Sequence, residues 1–147
     1  MDTYSILSEI QDRLPRGEMR NSALDEIKSR LDSLSDSQRS DVNFKIQALN
    51  LKNPALVFWV GSLLFGNFGV GRFMIGDIGL GIARLILPIM GLLMMVSGFD
   101  AVMVIGTICY FGSIIWWFVD LFIVGKKLRM QNLRKVLLAI ESVKNSK

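Results

Sequence analysis

The sequence predicts an all-helical membrane protein, in which a bundle of apolar helices in a lipid bilayer is joined to a helical region exposed to water. Hydrophobic residues make up 51% of the 147 residues, and the mean hydropathy is +0.41. Charge is segregated, because residues 1–53 contain eight Lys or Arg and nine Asp or Glu, whereas residues 54–125 contain only five charges. Two uncharged or nearly uncharged stretches also approach or exceed the roughly 20 apolar residues that cross a bilayer.

Residues 1–53 have the apolar periodicity of short amphipathic helices. The N-terminus lacks the basic and apolar segments of a signal peptide, so we expect this region to stay in the cytoplasm. Two interpretations of its apolar faces remain open. The helices fold on themselves or on the membrane surface, or one stripe docks a cytoplasmic partner or a second copy. The candidate docking stripe, with 3-4-3 spacing, consists of Leu24, Ile27, Leu31 and Leu34.

The membrane domain is predicted at 54–125 and contains three apolar segments. Residues 54–70 are uncharged, and residues 101–125 contain one charge, Asp120, so we expect these two segments to span the bilayer. The middle segment, 74–98, is interrupted by Asp77, Arg84 and Pro88 and is the ambiguous one.

Basic residues flank the membrane domain on both sides, and residues 126–147 are predicted to form a basic cytoplasmic tail. The positive-inside rule places both flanks in the cytoplasm, which requires an even number of crossings. The middle segment would then be re-entrant, lie at the outer interface, or bend at Pro88 and return. Three full spans are the alternative. The predicted location is the cell membrane, with several crossings and both termini cytoplasmic.

Glycines are concentrated at the end of the first apolar segment and the start of the second. Small residues let helix backbones approach closely in lipid, where packing rather than the hydrophobic effect joins helices. A phosphate-binding loop is not indicated, because no Lys-Ser/Thr pair follows the glycines. We expect packing within one chain or between subunits at Gly66, Gly69, Gly71, Gly76, Gly79 and Gly81.

The run GNFGVGRFMIG at 66–76 resembles the loop of the TM-two domain family, which are small multi-pass membrane modules with a Gly-x-x-Gly-x-His/Asp-Arg-Phe-Tyr-x-Gly loop between apolar segments. The later run GSIIWWFVDLFIV at 112–124 resembles the family's second half. The resemblance covers roughly residues 52–133. Departures are Gly71 in place of His or Asp, Met74 in place of Tyr, and a longer stretch between the motifs. The matching positions are Gly66, Gly69, Arg72, Phe73, Gly76, Trp117 and Asp120, with Gly71 at the divergent position.

Three charges lie in or near the apolar segments and need partners. An ionisable group at membrane depth costs about 2.5–3.5 kcal/mol on insertion scales, so a pairing or functional role is the default expectation. We predict structural pairing among Arg72, Arg84 and Asp120, within or between subunits. One acid and two arginines do not make a proton relay.

The sequence indicates no enzyme. It has no His, one Cys (Cys109, within an apolar run) and no paired carboxylates for acid/base chemistry. We expect no catalytic residues, cofactor or metal, and no nucleic-acid binding. The leading hypothesis is a membrane-anchored interaction or oligomerisation module, whose partners are the bilayer and either itself or another membrane protein. The alternative is a small oligomeric channel, or a membrane-resident protein of the toxin or immunity type.

Overall fold

The computed structural model describes residues 3–146, and within these residues it is helical with no strand. The all-helical part of the prediction is therefore confirmed. The chain divides into two compact units, one made of Met1–Asn53 and Leu128–Lys147 and the other of Pro54–Lys127. The division after Asn53 coincides with the predicted start of the membrane domain, but the second division lies inside a helix.

The first unit contains three helices from the N-terminal region and the end of the last helix. These are α1 (Thr3–Ile10), α2 (Glu18–Asp32), α3 (Asp36–Ala48) and the part of α7 (Asp100–Lys144) from Leu128 onward. Helix α3 begins with a capping box, in which the Ser35 and Gln38 side chains each bond the other's backbone N–H. Two side chains of α7 also bond backbone carbonyls of the N-terminal region: Arg129 reaches Leu14 and Asn132 reaches Lys52.

The predicted docking stripe was wrong, because it lies in the hydrophobic core of this first unit. Ile27 and Leu31 have no exposed surface, Leu34 is buried, and Leu24 packs against the same core. The stripe is covered because α7 supplies the complementary apolar face, whose members include Leu133, Val136, Ala139, Ile140 and Val143.

Residues 126–144, most of the predicted basic cytoplasmic tail, belong to helix α7. This segment continues α7 without a break to Lys144 and completes the core of the first unit. The apolar face of this segment was not recognised because its residues are spaced among many basic ones. The face is buried because three other helices lie alongside it.

The second unit begins with a helix that is shorter than predicted. Helix α4 (Pro54–Leu64) has 11 residues and adopts π-helical geometry from Val57 onward. At 1.5 Å per residue, 11 residues of α-helix cover about 17 Å, roughly half of a bilayer's hydrocarbon core. The predicted span 54–70 is therefore not one straight helix, and α4 alone is too short to cross the hydrocarbon core.

The chain turns after α4 and comes back alongside it. A 3₁₀ turn (Gly66–Phe68) is followed by Gly69, whose φ of +72° is the left-handed conformation that glycine adopts without strain. Helix α5 (Val70–Met74) then packs against α4, and Gly76, with φ of +84°, starts a second turn. Residues 54–77 are thus a helical hairpin rather than a straight rod.

The middle apolar segment is a continuous helix, α6 (Ile78–Met95), which passes through Pro88. It is therefore neither broken nor bent back at this proline. Helices α6 and α7 are both long and apolar enough to cross a membrane, by length and composition, whereas α4 is not.

Helices α6 and α7 form an antiparallel pair whose backbones touch at two glycines that the sequence analysis did not single out. A Cβ at Gly106 would lie 2.7 Å from the carbonyl oxygen of Gly91, and a Cβ at Gly91 would lie 3.0 Å from the backbone nitrogen of Tyr110. Such approach is available only to residues without side chains. At the other end of the pair, Asp77 contacts Lys127.

Candidate functional site: a buried chain of ion pairs

The centre of the second unit contains a buried ion pair between α5 and α7. The Arg72 guanidinium donates from Nε to Asp120 Oδ2 at 3.1 Å and from Nη2 to Asp120 Oδ1. Both residues are less than 7% exposed. This two-pronged arrangement matches the planar fork of arginine to the two oxygens of a carboxylate, and it is among the strongest pairings that side chains make.

A second arginine reaches the same carboxylate from α6. Arg84 is 2% exposed and donates from Nη1 to Asp120 Oδ2 at 3.0 Å. Its Nε donates to the carbonyl oxygen of Gly66 at 2.9 Å, and its guanidinium carbon lies 5.4 Å from the centre of the Trp116 ring. Arg84 thereby links the turn after α4 to both long helices.

The chain of charges extends toward the surface through Asp77. Arg72 Nη1 donates to Asp77 Oδ2 at 2.9 Å, and Lys127 Nζ lies 2.6 Å from each Asp77 oxygen. The charge of the Asp77 carboxylate is therefore compensated by Lys127 on one side and by Arg72 on the other. The order from outside to inside is therefore Lys127, Asp77, Arg72, Asp120, Arg84, with alternating sign.

Glycines make room for this cluster. A Cβ at Gly66 would lie 2.5 Å from Nε1 of Trp117, which itself donates to the Ser62 carbonyl at 2.8 Å. A Cβ at Gly71 would lie 2.5 Å from Ser62 Oγ, and one at Gly69 would lie 2.6 Å from the Gly81 carbonyl oxygen. A larger residue at Gly66 or Gly69 would push the turn away from α7 or α6, and one at Gly71 would push α5 away from α4.

The chemistry of the cluster is that of a clamp. Arginine stays charged at any pH that proteins experience, so a chain in which Arg72 separates Asp77 from Asp120 does not pass protons along it. Among residues 3–146, no group of three or more His, Cys, Asp or Glu is placed to hold a metal ion. Each carboxylate instead ties together elements that are far apart in sequence: Asp120 joins α5, α6 and α7.

The structure brings several of the residues singled out from the sequence into contact. Arg72 and Arg84 both contact Asp120, and Trp117 lies against Gly66. The Phe73 ring packs against Gly81, and a Cβ at Gly81 would lie 2.6 Å from the nearest ring carbon. Gly76 has open space around it and serves the turn through its positive φ rather than through packing.

Two members of the cluster were missed by sequence reasoning, Asp77 and Lys127. Lys127 follows Asp120 by seven residues, which places both on one face of α7, and this spacing was a readable signal. The position of Asp77 depends on the turn at Gly76, which the sequence did not specify.

Compared with protein-family models, with curated protein sequences and with solved structures, the chain gives no match.

Proposed function

We propose that this chain is a non-enzymatic integral membrane protein, in which residues 54–127 form a membrane-embedded anchor and the first unit is a cytoplasmic helical domain carried by it. The single observation that supports this most strongly is the distribution of polarity in the second unit, which is the reverse of that in a water-soluble protein.

Three charged residues in the middle of the second unit point inward, its other exposed charges lie at the ends of α7's apolar stretch, and most of its large apolar residues point outward. Arg72, Arg84 and Asp120 are at most 6% exposed, whereas Ile115 is 68% exposed and Phe122 is 72% exposed. Only 22% of the apolar window of α6, and 11% of that of α7, is buried. Soluble monomers rarely expose an apolar surface this continuous, and lipid is the solvent in which it is stable.

Under this proposal, α6 and α7 are the two crossings and the hairpin of α4 and α5 is re-entrant. Gly66, in the turn after α4, packs against Trp117 on α7. Trp117 precedes Lys127 by ten residues, so the turn lies at a level about 15 Å from Lys127 along the axis of α7. This is about half of a 30 Å hydrocarbon core. Two crossings agree with the basic flanks on both sides, because both would then be cytoplasmic.

The proposal includes membership of the TM-two domain class, which rests on the resemblance of the motifs. What supports it is that the two motif halves are in contact, through Arg72 with Asp120 and Gly66 with Trp117. Each half of the motif supplies part of one ionic clamp. The order and spacing of the two halves in the sequence therefore have a direct physical reason.

The partner that we propose for the anchor is a second copy of itself or another membrane protein. Gly79 and Gly125 have open space where a side chain would be, and they lie two residues from Asp77 and Lys127, respectively, which contact each other. Each leaves a place without a side chain near this end of the helix pair, where a further transmembrane helix can pack closely.

The proposal is tested by fractionation and by mass. The full-length protein is expected to remain with membranes through an alkaline carbonate wash and to need detergent for release. In nanodiscs of defined size, native mass spectrometry then reports the number of copies, and Gly79→Leu and Gly125→Leu are expected to lower it if copies pack at this face. Recovery of the full chain as a monodisperse species from a detergent-free cytosolic extract would overturn the membrane assignment.

A further inference from the structure

The hydroxyl of Ser62 is buried at the centre of the second unit and has no hydrogen-bond partner among the described residues. Ser62 is 4% exposed and lies in the π-helical part of α4. A buried hydroxyl left unpaired costs about 1–3 kcal/mol, so the native state has a strong reason to supply a partner.

A small cavity lies next to this hydroxyl. It is lined by Ser62, Arg72, Trp117 and Asp120 together with three glycines of the turn, and its volume is about 10 Å³. The space exists because the glycines have no side chains; a Cβ at Gly71 would lie 2.5 Å from Ser62 Oγ. A site of this size holds one water molecule, provided that two or more polar partners face it.

The second polar partner is Asp120. Its carboxylate accepts three hydrogen bonds, two on Oδ2 and one on Oδ1, from the two arginines. A carboxylate offers about four lone-pair sites, so one remains on Oδ1. A water that donates one hydrogen to Asp120 and pairs with the Ser62 hydroxyl satisfies both groups.

We propose that this cavity binds a single ordered water molecule that bridges the Ser62 hydroxyl on α4 to the Asp120 carboxylate on α7. The water is a structural ligand that connects α4 to the ionic clamp. Without it, the hydrogen bond that joins α4 to α7 is the one that the Trp117 indole donates to the Ser62 carbonyl. The inference rests on burial and geometry inside the second unit and stands whether or not the unit lies in lipid.

The direct test is water-to-amide cross-relaxation by NMR on the full-length, ¹⁵N-labelled protein in nanodiscs of deuterated lipid. Cross-peaks at the water frequency, of opposite sign in NOE and ROE spectra, are expected at the amides of the lining glycines, Gly66, Gly69 and Gly71. Their absence in the wild-type protein would overturn the proposal, with no variant required.

Two variants fill the cavity in different ways. Gly71→Ala keeps the Ser62 hydroxyl but places a methyl group beside it, and Ser62→Val replaces the hydroxyl by two methyl groups. The cross-peaks at Gly66 and Gly69 are expected to disappear in each variant that folds. Persistence of the cross-peaks in Gly71→Ala would mean that they come from the hydroxyl proton, and would contradict the proposal. Ser113→Ala is the matched control, because Ser113 is equally buried but bonds the Tyr110 carbonyl, and it is expected to leave the cross-peaks unchanged.

A rise in melting temperature specific to chloride, relative to gluconate at the same ionic strength, would identify the occupant as an anion and overturn the proposal.

Discussion

Arg72 and Asp120, 48 residues apart in the chain, form a buried ion pair in which one guanidinium bonds both oxygens of one carboxylate. Arg84 bonds the same carboxylate from a third helix. Because the three groups are desolvated together, each is stable only while the others are present. The pair is therefore the point at which the fold of the second unit is most sensitive to a single polar change.

The first prediction concerns Asp120→Asn, which removes the charge that Arg72 and Arg84 share. Breaking a buried ion pair by removing one partner costs about 3–5 kcal/mol, because a charge is left buried without compensation. We expect a loss of this size in the free energy of unfolding, measured by equilibrium denaturation in mixed micelles. The control is Asp100→Asn, an exposed acid at the start of the same helix, which is expected to cost little. Equal losses in the two variants would contradict the clamp.

The second prediction concerns the contact between the backbones of α6 and α7. In Gly106→Ala the new methyl group would meet the Gly91 carbonyl oxygen at 2.7 Å and the Met95 backbone nitrogen at 2.8 Å, neither of which is the end of a flexible side chain. Overpacking of this kind costs about 1–3 kcal/mol. We expect a lower melting temperature for Gly106→Ala in dilute micelles.

Gly112→Ala is the matched control for this contact, since Gly112 is on the same helix and has open space around it. Its melting temperature should be unchanged or slightly higher, because alanine favours helix more than glycine does. If both substitutions lower stability alike, helix packing at Gly106 is not the cause.

The third prediction separates a core from a docking surface in the first unit. Ile27 is fully buried, so Ile27→Asp places a charge in the core and is expected to abolish the cooperative unfolding transition of this unit. Phe44 on α3 is 75% exposed, and Phe44→Asp should leave the transition in place. Circular dichroism of the full-length protein in nanodiscs reports both. A folded Ile27→Asp protein would show that the stripe is not needed for the core.

The sequence predicted these features unequally, for physical reasons. Helical periodicity and charge segregation are local properties, so the helical class and the boundary at Asn53 could be predicted from residues near one another. Pairing of Arg72 and Arg84 with Asp120 could be anticipated as well, because isolated charges among apolar residues need partners.

What could not be predicted depends on contacts between distant segments. The length of α4 is set by the turn from Gly66 to Gly69, which a hydropathy count does not detect because glycine and phenylalanine both extend an apolar run. The burial of Leu31 depends on α7, about 100 residues later in the chain, whose apolar face lies among basic residues. Glycines Gly91 and Gly106 become informative only once α6 and α7 are known to be antiparallel neighbours.

The last prediction tests how the second unit lies in the membrane, with single cysteines introduced on a Cys109→Ser background and labelled with a membrane-impermeant maleimide. Three exposed positions distinguish the arrangements: Asn145 near the end of α7, Ser97 between α6 and α7, and Phe68 at the turn after α4. With two crossings and a re-entrant hairpin, we expect Ser97→Cys to label in intact cells and Asn145→Cys only in inverted vesicles. Phe68→Cys should label in neither, and should react fully once detergent is added, because its turn would lie about half-way through the hydrocarbon core. If Phe68→Cys instead labels in intact cells, the first apolar segment crosses the membrane and the re-entrant arrangement is wrong.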